Sequence, residues 1–249
     1  MANKQRLDSL IVSRGIVATR SQAENYIKLS QVLVNNKIIN KPGSLVDDTA
    51  DIKLQVEEQY VSRAALKLDS VTNSFKLDFS GKTVLDVGSS TGGFSDYALK
   101  HGASKVYAVE KGSGQLHPSL RTNPKIELHE KTDIRDFKSL HSIDIVLIDV
   151  SFMSIRQILP HIASITSDKT AIIAMVKPQF EARLNQFKHK GVIKNDKLRR
   201  QILKDFENWA TQSFVILNKA DSKIAGAKGN LEKFYFLKNK HNHQQGDKL

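Results

Sequence analysis

The chain is 249 residues long, contains no cysteine, and combines a hydrophobic fraction of 40% with a formal net charge of +12. Length and apolar content suffice for one large domain and a small one, while the missing thiols exclude disulfides, cysteine nucleophiles and thiolate metal sites. The longest apolar runs, 145–148 and 171–176, are strand-sized and far below the ~20 residues that a membrane-spanning helix needs. No signal peptide is apparent at the polar N-terminus, and a cytoplasmic protein is expected.

The charge is uneven along the chain. Residues 1–42 hold seven Lys or Arg against two acids, residues 43–60 one against five, residues 61–176 fourteen against twelve, and residues 177–249 sixteen against seven. Two basic ends around a nearly neutral middle suggest surfaces that meet a polyanion, with nucleic acid ahead of an anionic membrane.

In chain order, Leu7, Leu10 and Ile11 have helical spacing, with Gly15 as the stop. Thr19 caps a second helix with Gln22 three residues on; Ala23, Tyr26 and Ile27 give its apolar face, while Arg20 and Lys28 point elsewhere. Val32-Leu33-Val34 and Ile38-Ile39 read as a hairpin around Asn35-Asn36, residues that tolerate left-handed backbone. The acidic pairs Asp47-Asp48 and Glu57-Glu58 mark the expected boundary, giving a small domain over 1–59. Arg6-Leu7-Asp8, Thr19 to Ala23, Ile27-Lys28 and Val32 to Asn35 resemble the S-four RNA-binding domain, with Ser30 and Asn36 standing where that family has glycine. The resemblance implies a small α+β module that contacts RNA through Arg6, Arg14, Arg20, Ser21 and Lys28, with Arg63 just beyond it.

From residue 60 to 240 strand and helix patterns alternate, as in a doubly wound α/β domain. Strands are predicted over 83–87, 105–109, 126–128, 143–148, 171–176, 214–217 and 234–237. The first runs into Asp86-Val87-Gly88-Ser89-Ser90-Thr91-Gly92-Gly93-Phe94, a glycine-rich turn before a helix, and Glu110 ends the second, where a carboxylate can hold ribose hydroxyls. The spacing departs from G-x-G-x-x-G, which disfavours a pyrophosphate. S-adenosylmethionine fits better, because its sulfonium favours nearby carboxylates such as Asp86 over an anion-binding nest. The plain alternative is a tight βα turn that binds nothing.

Four polar residues stand at element ends or on a helix: Lys67, Asp149 after 145–148, Lys177 after 171–176, and Glu232 before the last strand. In an α/β sheet the carboxyl edge of the strands binds ligands, so Asp149 and Lys177 belong beside the glycine loop. With Asp86 to Phe94, the blocks Gly112-x-Gly114-Gln115-Leu116, Asp149-Val150-Ser151-Phe152, Lys177-Pro178-Gln179-Phe180-Glu181 and Lys190-Gly191-Val192 resemble the TlyA (haemolysin A) branch of FtsJ-like ribose 2′-O-methyltransferases over essentially the whole chain. The resemblance implies a seven-stranded Rossmann-like domain with an antiparallel last strand, S-adenosyl-L-methionine as cofactor, and a catalytic set Lys67, Asp149, Lys177 and Glu232. It further implies a cytidine ribose of ribosomal RNA as target, the large subunit being favoured.

A ribose 2′-hydroxyl is a weak acid, so methyl transfer requires it to be aligned and its proton accepted. Lys177 is the candidate. A lysine base needs its ammonium form disfavoured, by Lys67 and by desolvation, while Asp149 and Glu232 hold the two ammonium groups and oppose part of that effect. Lys177 either removes the proton or orients the oxygen. Asp133 either accepts from the adenine amino group or caps a turn. The eight histidines are scattered, so no metal site is expected; a monomer and a disordered polar tail over 241–249 are expected as well. Two other functions stand beside this one: an RNA-binding or ribosome-assembly factor with an inactive methyltransferase fold, and a cytolysin.

Overall fold

The computed structural model describes residues 4–17, 19–55, 60–139, 141–182, 191–226 and 229–240. Contacts divide the chain into two compact units, Met1–Arg63 and Ala64–Leu249. The tail at 241–249, Glu57, Glu58 and Lys190 lie outside the described residues.

The first unit runs β1 (Lys4–Arg6), α1 (Leu7–Ser13), α2 (Arg20–Lys28), β2 (Val32–Val34), β3 (Lys37–Ile38), β4 (Leu45–Asp47) and β5 (Ile52–Leu54). The Thr19 hydroxyl accepts from the Gln22 amide at 3.2 Å, which satisfies one of the free donors that open α2. Asn35 and Asn36 take φ of 50° and 61°, the two left-handed residues of a tight hairpin turn, and Ser30 takes 60°. Ser30 and Asn36 thus adopt the left-handed backbone that glycine takes most easily.

Strands β1, β4 and β5 have no counterpart in the sequence reading, because they are short and lack the Asn35-Asn36 turn that marks the β2–β3 hairpin. They exist through pairing, β1 with β4 and β5 with β2. Asp47 is correspondingly no boundary. It ends β4, and its carboxylate accepts from the Thr49 amide and hydroxyl.

Leu7, Ile11, Ala23, Ile27 and Val32 are fully buried together, and Asp8 is buried among them. Arg6 and Arg20 hold its carboxylate from two sides, at 2.7 and 2.9 Å. These bonds, that of Arg6 first, pull Asp8 down to about 2. The folded value lies below that of a free aspartate, so this clamp contributes stability that is complete above about pH 4 and is lost as pH falls through about 2. Both arginines are half exposed, which reduces the contribution to about 1–2 kcal/mol. Amide exchange of residues 7–34 in the full chain is expected to accelerate on acidification, and Asp8→Asn to show fast exchange already at neutral pH.

The second unit comprises α3 (Arg63–Phe75, its first residue on the division), β6 (Thr83–Val87), α4 (Gly93–Lys100), β7 (Lys105–Val109), α5 (Pro118–Arg121), β8 (Ile126–His129), β9 (Ile145–Ile148), α6 (Leu159–Ser164), β10 (Ala171–Val176), α7 (Pro178–Glu181), α8 (Asp196–Ala210), β11 (Phe214–Asp221) and β12 (Lys233–Asn239). Seven strands form one sheet in the order β11-β12-β10-β9-β6-β7-β8, with β12 antiparallel to both neighbours. Strand β9 is buried at every position, the pattern of a central strand covered on both faces.

Four strands differ in their limits from the sequence reading. β8 ends at His129 rather than 128, β9 starts at Ile145 rather than 143, β12 covers Lys233–Asn239, and β11 continues to Asp221 across a bulge between Ile216 and Asn218. Asn218, Lys219 and Asp221 are poor strand formers, and pairing with β12 holds them extended. Strand order reverses between β6 and β9, and the crevice at such a switch point, outside the carboxyl ends of the strands, is where open α/β sheets bind ligands.

Candidate active site

Val87 ends β6, and Gly88 turns the chain with φ of 80°. A Cβ on Gly88 would lie 2.8 Å from the Asp149 carbonyl oxygen, so the close approach of the two strand ends admits only glycine. Ser90 (φ 47°) and Gly92 (φ 92°) complete the turn, and a Cβ on Gly92 would strike Leu116 and Leu120. Gly93 opens α4, while Phe94 is buried with its ring 6.3 Å from that of Phe234. Thr91 is exposed and its carbonyl accepts from the His117 amide.

Asp86 is buried at the foot of this turn. Its Oδ2 accepts from the Ser95 amide (2.9 Å) and hydroxyl (2.6 Å), while Oδ1 has no partner among the described residues. Burial, reinforced by the nearby Asp149 carboxylate and opposed by Ser95, pushes Asp86 up to about 7. The hydroxyl of buried Ser89 is likewise without a partner among the described residues. Glu110 ties two loops together: Oε2 accepts from the Ser90 amide (3.0 Å) and Oε1 from the Gly112 amide (2.7 Å), with the Gln115 amide group at 3.3 Å.

A cleft of about 620 Å³ opens here, walled by Gly88, Glu110, Ile134, Val150 and Met153 among others. A smaller hollow of about 150 Å³ shares Gly88, Asp149 and Ser151 with it and reaches Asp86 and Lys177. Asp133 lines the larger cleft and caps the 3₁₀ turn Ile134–Asp136. Its carboxylate also binds the Arg135 guanidinium and Lys111, and the Arg135 bonds hold it well below the usual carboxylate range. A hollow of about 720 Å³ near Trp209 and Asn239 contains none of the candidate residues.

The four candidate catalytic residues form two ion pairs. Lys177 Nζ lies 2.6 Å from Asp149 Oδ1 and donates to the Ser151 hydroxyl at 2.9 Å. Lys67, on α3, donates to Glu232 Oε2 at 2.5 Å. The register that pairs Val176 with Lys233 carries Lys177 alongside Glu232, so both pairs occur at the carboxyl edge of β9 and β10. A Cβ on Gly226 would lie 2.3 Å from Glu232 Oε1, so the absence of a side chain at 226 makes room for the carboxylate.

Other residues complete the site without having been singled out from sequence. Phe152 is 79% exposed, takes φ of 67°, and meets Phe180 at 5.5 Å between ring centroids. Glu181, four residues after Lys177, is buried, and burial pushes its carboxyl up. It accepts from the Ser154 hydroxyl (2.6 Å) and the Ile155 amide (2.9 Å) and lies 3.3 Å from Arg156 Nε. One carboxylate therefore straps the loop bearing Asp149, Ser151 and Phe152 to the segment bearing Lys177. Three of these residues, Ser151, Phe152 and Glu181, fall inside sequence blocks already recognised; only their contacts were hidden.

In the first unit, the residues expected to touch RNA have intramolecular partners. Arg6 and Arg20 bind Asp8, Arg14 donates to the Ala50 carbonyl (2.6 Å) and the Asp48 carbonyl, and Lys28 pairs with Glu24 at 3.1 Å. About half of the Arg6 and Arg20 side chains remains exposed, at 48% and 55%. Ser21 is exposed in the first turn of α2, and Arg63 opens α3.

Sheet order, glycine turn and paired lysines define a Rossmann-like methyltransferase. Residues 60–240 match the family of FtsJ-like methyltransferases and residues 5–52 the S4 domain. The chain is 37% identical to the 23S rRNA (cytidine-2′-O)-methyltransferase TlyA of Campylobacter jejuni, covering 90% of this chain and 96% of that protein. It is 32% identical to the 16S/23S rRNA (cytidine-2′-O)-methyltransferase TlyA of Mycobacterium tuberculosis (96% and 91%) and 36% identical to Hemolysin A of Brachyspira hyodysenteriae (91% and 97%). A solved structure from Streptococcus thermophilus that carries the hemolysin name superposes with a TM-score of 0.73 at 33% identity, over 96% of this chain and 90% of that one. The chain belongs to the FtsJ-like methyltransferase family, in the branch whose members carry an N-terminal S4 domain.

Glu181→Ala would leave Ser154, the Ile155 amide and Arg156 without their shared acceptor. A loss of about 2–4 kcal/mol is expected, against about 1 kcal/mol for Ser154→Ala. Chemical denaturation read by the fluorescence of Trp209, the one tryptophan and 5.6 Å from the Arg156 guanidinium, measures both.

Proposed function

We propose that this chain transfers a methyl group from S-adenosyl-L-methionine to a ribose 2′-hydroxyl of ribosomal RNA, with a cytidine of the large subunit as preferred target and the cytoplasm as its location. The observation that carries this reading is the pair of buried Lys177 with part-buried Asp149, near an Asp86 oxygen that has no partner among the described residues. An inactive fold retained for RNA binding needs neither. For a cytolysin the site offers no support, and among the described residues no helix is long and apolar enough to cross a membrane.

The cleft fits the methyl donor. Its volume lies within the ~300–1,000 Å³ of small-molecule sites. The free Oδ1 of Asp86 suits a cationic amino group, the Glu110 carboxylate retains acceptor capacity for ribose hydroxyls, and Val109, Ile134, Val150 and Met153 give an apolar wall for adenine. The Ser89, Ser90, Thr91, Gly92, Gly93 and Phe94 turn backs the same end. Asp133 is bound at all its acceptor positions, so it reads the adenine amino group only by releasing Lys111, whose side chain is 78% exposed. Bound there, the cofactor supplies an electrophilic methyl group on a sulfonium.

The protein's part follows from the two ion pairs. Lys177 has three positions on its nitrogen; Asp149 and Ser151 take two, leaving one for the 2′-hydroxyl. As the oxygen displaces the neutral thioether from the methyl group, one C–O bond forming as one C–S bond breaks, Lys177 would accept the hydroxyl proton and Asp149 would stabilise the ammonium that results. Glu232 holds Lys67 in place beside it. The exposed ring of Phe152 offers a stacking platform for the base of an unpaired nucleotide.

Lys177→Ala is expected to reduce methyl transfer by at least a factor of about 10³ while leaving cofactor affinity within about threefold, and Gly88→Val to abolish cofactor binding outright; wild-type transfer by Lys177→Ala refutes the assignment. A cationic ligand binds ionised Asp86, so affinity for S-adenosylmethionine should fall toward tenfold per unit as pH drops below about 7. Calorimetry from pH 5.5 to 7.5 tests this, with Asp86→Asn expected to bind weakly and without that slope. Phe152→Ala should raise the KM for RNA with cofactor affinity intact.

A further inference from the structure

Helix α8 has one acid at its start, Asp196, and two more along its length, Asp205 and Glu207. The latter two are turned away to partners: Asp205 binds Arg156 at 2.7 Å, and Glu207 binds Lys219 at 2.8 Å and the Tyr235 hydroxyl at 2.9 Å. The buried side of the helix is Ile202, Leu203, Phe206 and Ala210. On the opposite side Lys197, Arg200, Gln201, Lys204 and Asn208 are all exposed. Their spacing of three and four puts them in one stripe, headed by Asp196 one turn before Arg200, whose Nε donates to the Asp196 carbonyl at 3.3 Å.

Among the described residues no acid pairs with Lys197, Arg200 or Lys204, whereas Lys100, Lys105, Lys111, Arg121 and Arg135 of the same unit each have one. The three cations span roughly 10 Å of helix axis. The start of the helix is tied to the site: Arg199 Nε donates to the Leu231 carbonyl, one residue before Glu232, and the Ile193 amide donates to Asn230.

We propose that this face of α8 is a docking surface for the phosphate backbone of the RNA substrate, flanking the nucleotide presented to Lys177. The inference rests on the RNA-methyltransferase reading above. Three uncompensated cations interleaved with amides suit phosphate oxygens, and the anchoring of the helix beside Glu232 makes backbone held there continuous with the strand being modified.

The test uses the full chain with S-adenosylmethionine and protein-free ribosomal RNA. Lys197→Gln/Arg200→Gln/Lys204→Gln should raise the KM for RNA about tenfold and reduce the slope of log affinity against log salt by about 2–3. Its kcat at saturating RNA and its cofactor affinity should stay within twofold, and Lys197→Arg/Lys204→Arg should behave as wild type. A control with equal charge loss, Lys76→Gln/Lys125→Gln/Lys169→Gln, should have little effect. Unchanged KM and slope, an equal effect in the control, or a defect on whole ribosomal particles that is absent on free RNA overturns the proposal, the last pointing to a ribosomal protein as partner. Absence of methyl transfer by the wild-type chain would instead refute the underlying activity.

Discussion

The near-contact between Gly88 and the Asp149 carbonyl, 2.8 Å from where a Cβ would sit, sets the geometry of everything that follows. Parallel pairing of β6 with β9 brings two strand ends to the same edge, and only a residue without a side chain lets them close up. Asp86 then lies below the turn, Asp149 above the neighbouring strand, and Lys177 one strand further on. A side chain at 88 would strike the Asp149 carbonyl and force these strand ends apart.

Two lysines are held there by carboxylates in largely buried surroundings, with Lys177 8% and Glu232 4% exposed. Ion pairs of this kind contribute little net stability, because the loss of hydration offsets most of the attraction. Their presence is therefore better explained by chemistry than by folding. The Glu181 strap belongs with them, since it holds the loop of Asp149 and Phe152 against the segment of Lys177 and limits how far either can drift.

The basic residues of the chain divide by what their neighbours do. In the first unit Arg6 and Arg20 neutralise a buried aspartate while keeping about half of each side chain in water. On α8 Asp205 and Glu207 are engaged by Arg156 and Lys219, and Arg199 by Asp221, whereas Lys197, Arg200 and Lys204 have no acidic partner among the described residues. A net charge of +12 is the same number in either case; only the pairing distinguishes a structural arginine from a free one.

The sequence by itself determined the class of the fold and picked out the candidate residues that the structure brings to one edge of the sheet. Val84 and Leu85 running into Asp86 and a glycine turn, with Glu110 following the next strand, mark a strand–turn–helix of an α/β domain, because buried strands and tight turns restrict residue type locally. Strands β1, β4 and β5, the extension of β11 to Asp221 and the place of Asp47 within β4 were beyond it, since each depends on a distant partner rather than on propensity. Which lysine meets which carboxylate, that Glu181 joins two loops, and that Phe152 stands exposed were decided by tertiary structure alone. Charge pairing acts over a few ångströms in space, and residues 67 and 232, which touch, are far apart along the chain.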